Sequence, residues 1–165
     1  PEKQIVQEIE GSKEDTQVDL KESKMGYILY IDEERYYMEH GDGSDRIIAK
    51  HQGENTPEVY MEIRQVEDKE PLVLAEELKA QLKSEMGVFK DMGTVSEPLD
   101  AIFFYGISGN GTKWDDKVVR YYLVDNTKGG SFVIKQQYFL EAAEGHGVRL
   151  DNILKEFKIV ELEVE

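Results

Sequence analysis

From Tyr27 onward the chain alternates apolar and polar positions in short runs. Tyr27, Leu29 and Ile31 alternate with Ile28, Tyr30 and Asp32, and ERYYME follows after a short polar break; this predicts a pair of strands. Gly41 and Gly43 in HGDGSD predict a turn, and RIIAK a third strand. After HQGENTP, closed by Pro57, the run EVYMEIRQV alternates again, with Val59, Met61 and Ile63 on one face. Its other face carries Glu58, Tyr60, Glu62 and Arg64.

The period then changes. EPLVLAEELKAQLKSEMG spaces Leu74, Leu78, Leu82 and Met86 about one helical turn apart. Pro71 suits the first turn, where no N–H is needed, and Gly87 suits a left-handed C-terminal cap. Glu76 and Glu77 precede Lys79 and Lys83, the order that the helix dipole favours. VFKDMGTVS reads as a strand, Pro98 as a boundary, and DAIFFYGIS as a strand buried on both faces. GNGT and NTKGG are turns on either side of the strand KVVRYYLVD.

In SFVIKQQYFLEAA local propensity and pattern conflict. QQYFLEAAE consists of good helix formers. Phe132, Ile134, Tyr138, Leu140 and Ala142 nonetheless keep a period of two, broken only at Gln136. Burial of one face is expected to prevail and give a strand over 131–143. Past Gly145 and Gly147, Val148, Leu150, Ile153, Leu154 and Phe157 recur at helical spacing. IVELEVE alternates, and either adds an edge strand or frays.

A chain of 165 residues suits one domain and buries roughly 70% of its unfolded surface, enough for a core without staples. Cysteine is absent, which excludes disulfides, Cys-ligated zinc and thiol chemistry. No apolar run is long enough for a transmembrane helix. Thirty-five acidic residues against twenty basic ones leave a net charge of −15. Nucleic acid and anionic lipid are therefore poor partners, since phosphate recognition rests on Lys and Arg. Residues 1–25 are polar, acidic and almost free of aromatics, and read as a flexible leader. A tether of that kind suits a domain that follows a signal peptide or a lipid-modified cysteine. Residues 26–160 form the expected domain and 161–165 a tail.

Candidate chemistry is sparse. Glu141, Glu144 and His146 lie within six positions and offer a metal site or an acid–base pair. The alternative is structural: Gly145 and Gly147 reverse the chain at His146, in the loop ahead of the last helix. The structural reading is preferred, because metal sites want three or four converging ligands with a supporting shell. Trp114, Asp115 and Asp116 in TKWDDK offer a binding rim or a cation site, against a core-capping role for Trp114. Asp42, Ser44 and Asp45 in HGDGSD lack the full calcium-loop pattern. NGT at 110–112 fits a glycosylation sequon, a short motif that also occurs by chance. Nine tyrosines, Tyr36 and Tyr37 among them, offer partner-binding surface or core rim with hydroxyls in water.

AIFFYG, KWDDKVVRYYLVD, GGSFVIKQQYFLEAAEGHG and the closing ILKEFKI resemble the PsbP-like fold over roughly residues 26–160. That family includes a photosystem II extrinsic subunit, a Ran-binding import factor and small lipoproteins of Gram-positive bacteria. The lipoproteins are the nearest in kind, because an acidic polar leader precedes the domain. The resemblance implies an α+β fold, with a central antiparallel sheet flanked by helices. It transfers no site residue. The expected function is a non-enzymatic extracytoplasmic accessory domain, lipid-anchored upstream, that contacts another envelope protein and uses no cofactor. Two alternatives are a metal-assisted hydrolase using Glu141, Glu144 and His146, and a cytoplasmic GTPase-binding regulator.

Overall fold

The computed structural model of the chain describes residues 1–162. It contains strands β1 (Glu2–Ile9), β2 (Ser12–Glu22), β3 (Tyr27–Ile31), β4 (Tyr36–His40), β5 (Ser44–Ala49) and β6 (Tyr60–Val66). Helix α1 (Pro71–Glu85) follows, then β7 (Val88–Val95), β8 (Ala101–Ile107), β9 (Lys117–Asp125) and β10 (Ser131–Phe139). A 3₁₀ turn (Leu140–Ala142) and a π-helical turn (Ala143–Gly147) lead into α2 (Val148–Lys155) and a short β11 (Lys158–Ile159). Neither helix is long and apolar enough to cross a membrane.

The strands form two antiparallel sheets, one ordered β1-β2-β3-β11 and the other β4-β5-β6-β10-β9-β8-β7. The α+β class stands. A single central sheet flanked by helices does not: α1 packs on one face of the seven-stranded sheet, over β7 to β10, and the four-stranded sheet with α2 packs on part of the other. Phe104, Val119, Leu123 and Val133 meet Leu74, Ala75 and Leu82 of α1. Phe103, Val118, Tyr122, Phe132, Ile134 and Tyr138, one residue out of phase, meet β3 and α2 in the larger core. The buried-both-faces reading of β8 matches this double burial, and β9 and β10 likewise place alternate residues in the two cores.

Four expectations change. Residues 1–25, expected as a leader, carry a hairpin from Glu2 to Glu22. Its two-residue turn has positive φ at Glu10 (52°) and Gly11 (79°), the twist that suits a tight hairpin. The polar inner face is the reason the sequence hides it. Gln7 and Thr16 are buried, and Gln7 Nε2 donates to Thr16 Oγ1 at 3.0 Å. Asn152 Nδ2 on α2 donates to Gln7 Oε1 at 2.9 Å, which satisfies the amide without apolar packing.

Second, β3 and β4 are not partners; each enters a different sheet. Asp32 turns the chain between them, accepting Glu34 N at 3.1 Å and Arg35 Nη1 at 2.7 Å. Third, the strand expected over 131–143 ends at Phe139. From Leu140 the chain is helical, so the helix formers win where the ladder with β9 runs out at Lys117.

Fourth, two glycines serve close approach, not positive φ. α1 ends at Met86 in extended backbone, and a Cβ on Gly87 would lie 1.7 Å from the carbonyl oxygen of Gly109. Gly147 is right-handed (φ −57°), and its Cβ would press on the Tyr138 ring at 3.0 Å. Of IVELEVE, only Ile159 joins β11, which pairs with β3; residues 163–165 lie outside the described residues.

Candidate functional site: an aromatic groove around Arg120

The four-stranded sheet and α2 leave part of the seven-stranded sheet uncovered, over β8 and β9. Cross-strand register sets Phe103 opposite Tyr122 and Tyr105 opposite Arg120, while Gln136 of β10 pairs with Arg120 from the other side. Tyr105, Phe103 and Tyr122 stack with centroid spacings of 5.8 and 4.6 Å. The Arg120 guanidinium lies over Phe103, 4.7 Å from its centroid. Stacking on an aromatic face suits a guanidinium, which is weakly hydrated and planar.

Polar contacts fix this cation. Arg120 Nη1 donates to Asp151 Oδ2 at 3.3 Å and to the Tyr138 hydroxyl at 3.4 Å, and Nη2 donates to the Tyr122 hydroxyl at 2.9 Å. Asp151, on the first turn of α2, also accepts Gln136 Nε2 at 2.9 Å and the Tyr122 hydroxyl at 3.2 Å. Gln136, the residue that broke the period of two, is fully buried and ties the sheet to α2. Its carbonyl oxygen is buried with no partner among the described residues. Burial opposes the Arg120 charge, but Asp151 and the neighbouring phenols outweigh it, so the guanidinium is held charged. Burial, reinforced at Tyr122 by Asp151, pushes the Tyr122 and Tyr138 phenols up. Both hydroxyls stay protonated at neutral pH.

Two depressions meet at Arg120. The smaller, about 300 Å³, is lined by Phe103, Tyr105, Ile107, Val118, Tyr138 and Leu140, with Arg120 its one charged residue. The larger, about 480 Å³, shares Phe103 and Arg120, adds Tyr122 and continues past Met92, Pro98 and Val148. A register shift between Asp91 and Gly93 turns Met92 outward at its edge. Such a site, a fixed cation on stacked rings between an apolar hollow and a larger one of mixed lining, is built to recognise a ligand that joins an anion to apolar groups.

The residues singled out from sequence are not gathered in this way. Glu141 and Glu144 are exposed, while the Tyr36 hydroxyl lies 2.7 Å from His146 Nδ1. Burial, then the charges of Arg149 and Arg35, lowers the His146 pKa. Among the described residues no group of three or more His, Asp or Glu is placed to hold a metal ion. His146 sits within the π-helical turn and not in a loop.

Around His146, Glu14 of the hairpin accepts Arg149 Nη2 at 2.9 Å and lies 3.2 Å from Arg35, which pairs with Asp32 at 2.7 Å. Burial raises the Glu14 pKa, but bonds from Arg149 and Thr16 and the two guanidinium charges bring it below the usual range. This cluster fastens the hairpin to α2.

Trp114 is half exposed and packs edge-on to Phe139 at 6.1 Å. Asp115 is exposed, but Asp116 is buried and accepts the Thr112 and Lys113 amides at 3.0 and 2.9 Å. Its backbone carbonyl accepts Leu140 N, so this loop abuts the smaller depression. Tyr37 is exposed and Tyr36 buried on β4, at the edge of the sheet opposite β7. Asp45 turns inward and accepts Ser23 Oγ at 2.6 Å and the Tyr27 hydroxyl at 2.5 Å, with His40 Nδ1 at 2.8 Å. Asp42 stays exposed and Ser44 half-buried, so HGDGSD anchors strands through its last residue. Sequence reasoning missed Arg120, Gln136 and Asp151, which lie on three elements. The one signal was a polar residue at a core-facing position in each of two strands.

No known protein family and no curated protein matches this chain in sequence.

Proposed function

We propose that the chain is a non-enzymatic binding domain that holds an extended segment of another bacterial envelope protein in the groove around Arg120. The observation that carries this reading is the junction of an apolar hollow and a larger, mixed one at the Arg120 guanidinium, stacked on Phe103 and fastened by Asp151. Tyr and Arg are the residues that interfaces favour, because they combine large contact area with directed hydrogen bonds. Trp114 adds exposed aromatic surface beside the groove.

The envelope setting and an upstream lipid anchor belong to the same proposal. They are supported by the resemblance to PsbP-like lipoproteins and by the net charge of −15, which disfavours nucleic acid. The polar N-terminal segment does not argue for a tether, since Glu2–Glu22 is a folded hairpin. The PsbP-like relationship itself is proposed on the long antiparallel meander β8–β10 and the helix packed across it.

Selection from a random peptide display library tests the binding reading. Enriched peptides should be apolar and lose binding to Phe103→Ser; enrichment that is indifferent to Phe103→Ser and Tyr105→Ser contradicts it. Fractionation of cells expressing the full-length gene decides the setting, and recovery in the cytosol would count against the envelope.

A further inference from the structure

Resting on the groove reading above, we propose that the segment bound is a polypeptide C-terminus, its α-carboxylate held by Arg120 and its last side chain seated in the smaller depression. The first ground is charge. In a chain of net charge −15, Arg120 is the one charged residue lining the smaller hollow, among Phe103, Tyr105, Ile107, Val118 and Leu140. A guanidinium carries five N–H donors. Among the described residues Asp151, Tyr138 and Tyr122 engage three of them, leaving two for a carboxylate. The Tyr138 hydroxyl accepts from Arg120 and keeps its own proton to donate into the same hollow.

The second ground is shape. Arg120 and Phe103 belong to both depressions, so the cation stands where the hollows join. A chain terminus has the matching branch: the carboxylate sits between the last side chain and the preceding backbone. The last side chain fills the smaller hollow, and the preceding residues run along the larger one past Pro98 and Val148. A simple acyl carboxylate would leave one hollow empty. Glu97, Asp151 and Lys155 line the larger hollow, which therefore sets no single charge preference for the residues just before the terminus.

Calorimetric titration with the acetylated tetrapeptide AVAF, as free acid and as C-terminal amide, tests this. The free acid should bind the native protein about tenfold more tightly than the amide, as expected for one charge-assisted contact. That gap should close in Arg120→Gln, and Phe103→Ser should weaken both peptides. The acid–amide comparison on the unaltered protein decides alone if Arg120→Gln folds poorly. Equal binding of acid and amide, still sensitive to Phe103→Ser, overturns the carboxylate and leaves the groove. Equal affinity for the internal acid peptide AFEA-amide overturns the terminus in the same way. Insensitivity to Phe103→Ser, or no binding of either peptide at millimolar concentration, overturns the groove as well.

Discussion

Four tyrosine hydroxyls donate to or lie against other side chains instead of water. Tyr27 donates to Asp45, Tyr36 lies against His146, Tyr60 donates to Gln137 and Tyr122 to Asp151. Each hydroxyl satisfies a polar group that burial would otherwise make costly. Two consequences are measurable. Arg120 and Asp151 share one network, so Arg120→Met or Asp151→Asn should each cost about 2 kcal/mol of stability, and the double variant clearly less than the sum. Urea unfolding of the four proteins gives the coupling, and strict additivity would deny it.

The second consequence concerns acid. His146 has a lowered pKa because burial and the charges of Arg149 and Arg35 oppose its protonation, so the unfolded chain binds that proton more readily. Stability should therefore fall as pH drops below about 6.5, the ordinary value for His. Glu14, with its lowered pKa, contributes its own loss only nearer 4.5. Melting temperatures between pH 7.5 and roughly 5 should thus decline more steeply for the native protein than for His146→Gln. Parallel slopes would remove His146 from the account.

At the scale of elements, legibility follows burial pattern and length. α1 was readable because Leu74, Leu78 and Leu82 repeat along fifteen residues behind a Pro at the first turn. β10 was readable through Tyr138, where sheet burial enforces the period of two, and misread beyond it. Ala142 is buried in the 3₁₀ turn, the same burial that an inward strand position predicts, so it does not distinguish the two states. The hairpin was illegible for a different reason: Gln7 and Thr16 occupy its inner face between the buried Ile9 and Val18 and bond each other, which breaks the apolar alternation. Hydrogen exchange should show amides along Glu2–Glu22 protected by about a hundredfold or more over a random coil. Unprotected exchange there would restore a flexible leader. The groove was equally hidden, because cross-strand register brings Arg120, Gln136 and Asp151 together from positions sixteen and fifteen residues apart.

At the scale of the whole molecule, one seven-stranded sheet carries α1 on one face, over β7 to β10, and the smaller sheet with α2 over part of the other. The uncovered remainder carries the stacked rings and the cation. Covering is completed by the Glu14–Arg149 and Lys3–Glu156 pairs, which hold the hairpin over α2. A binding surface at the margin of a double-sided core needs no moving part, because β8, β9 and β10 hold its side chains rigidly. Chemical-shift mapping of the nitrogen-15-labelled protein with AVAF free acid tests the central claim most directly. The account predicts shifts concentrated on β8, β9 and residues 138–143. Shifts confined to the hairpin or to β4, with the Arg120 surroundings unmoved, would contradict it.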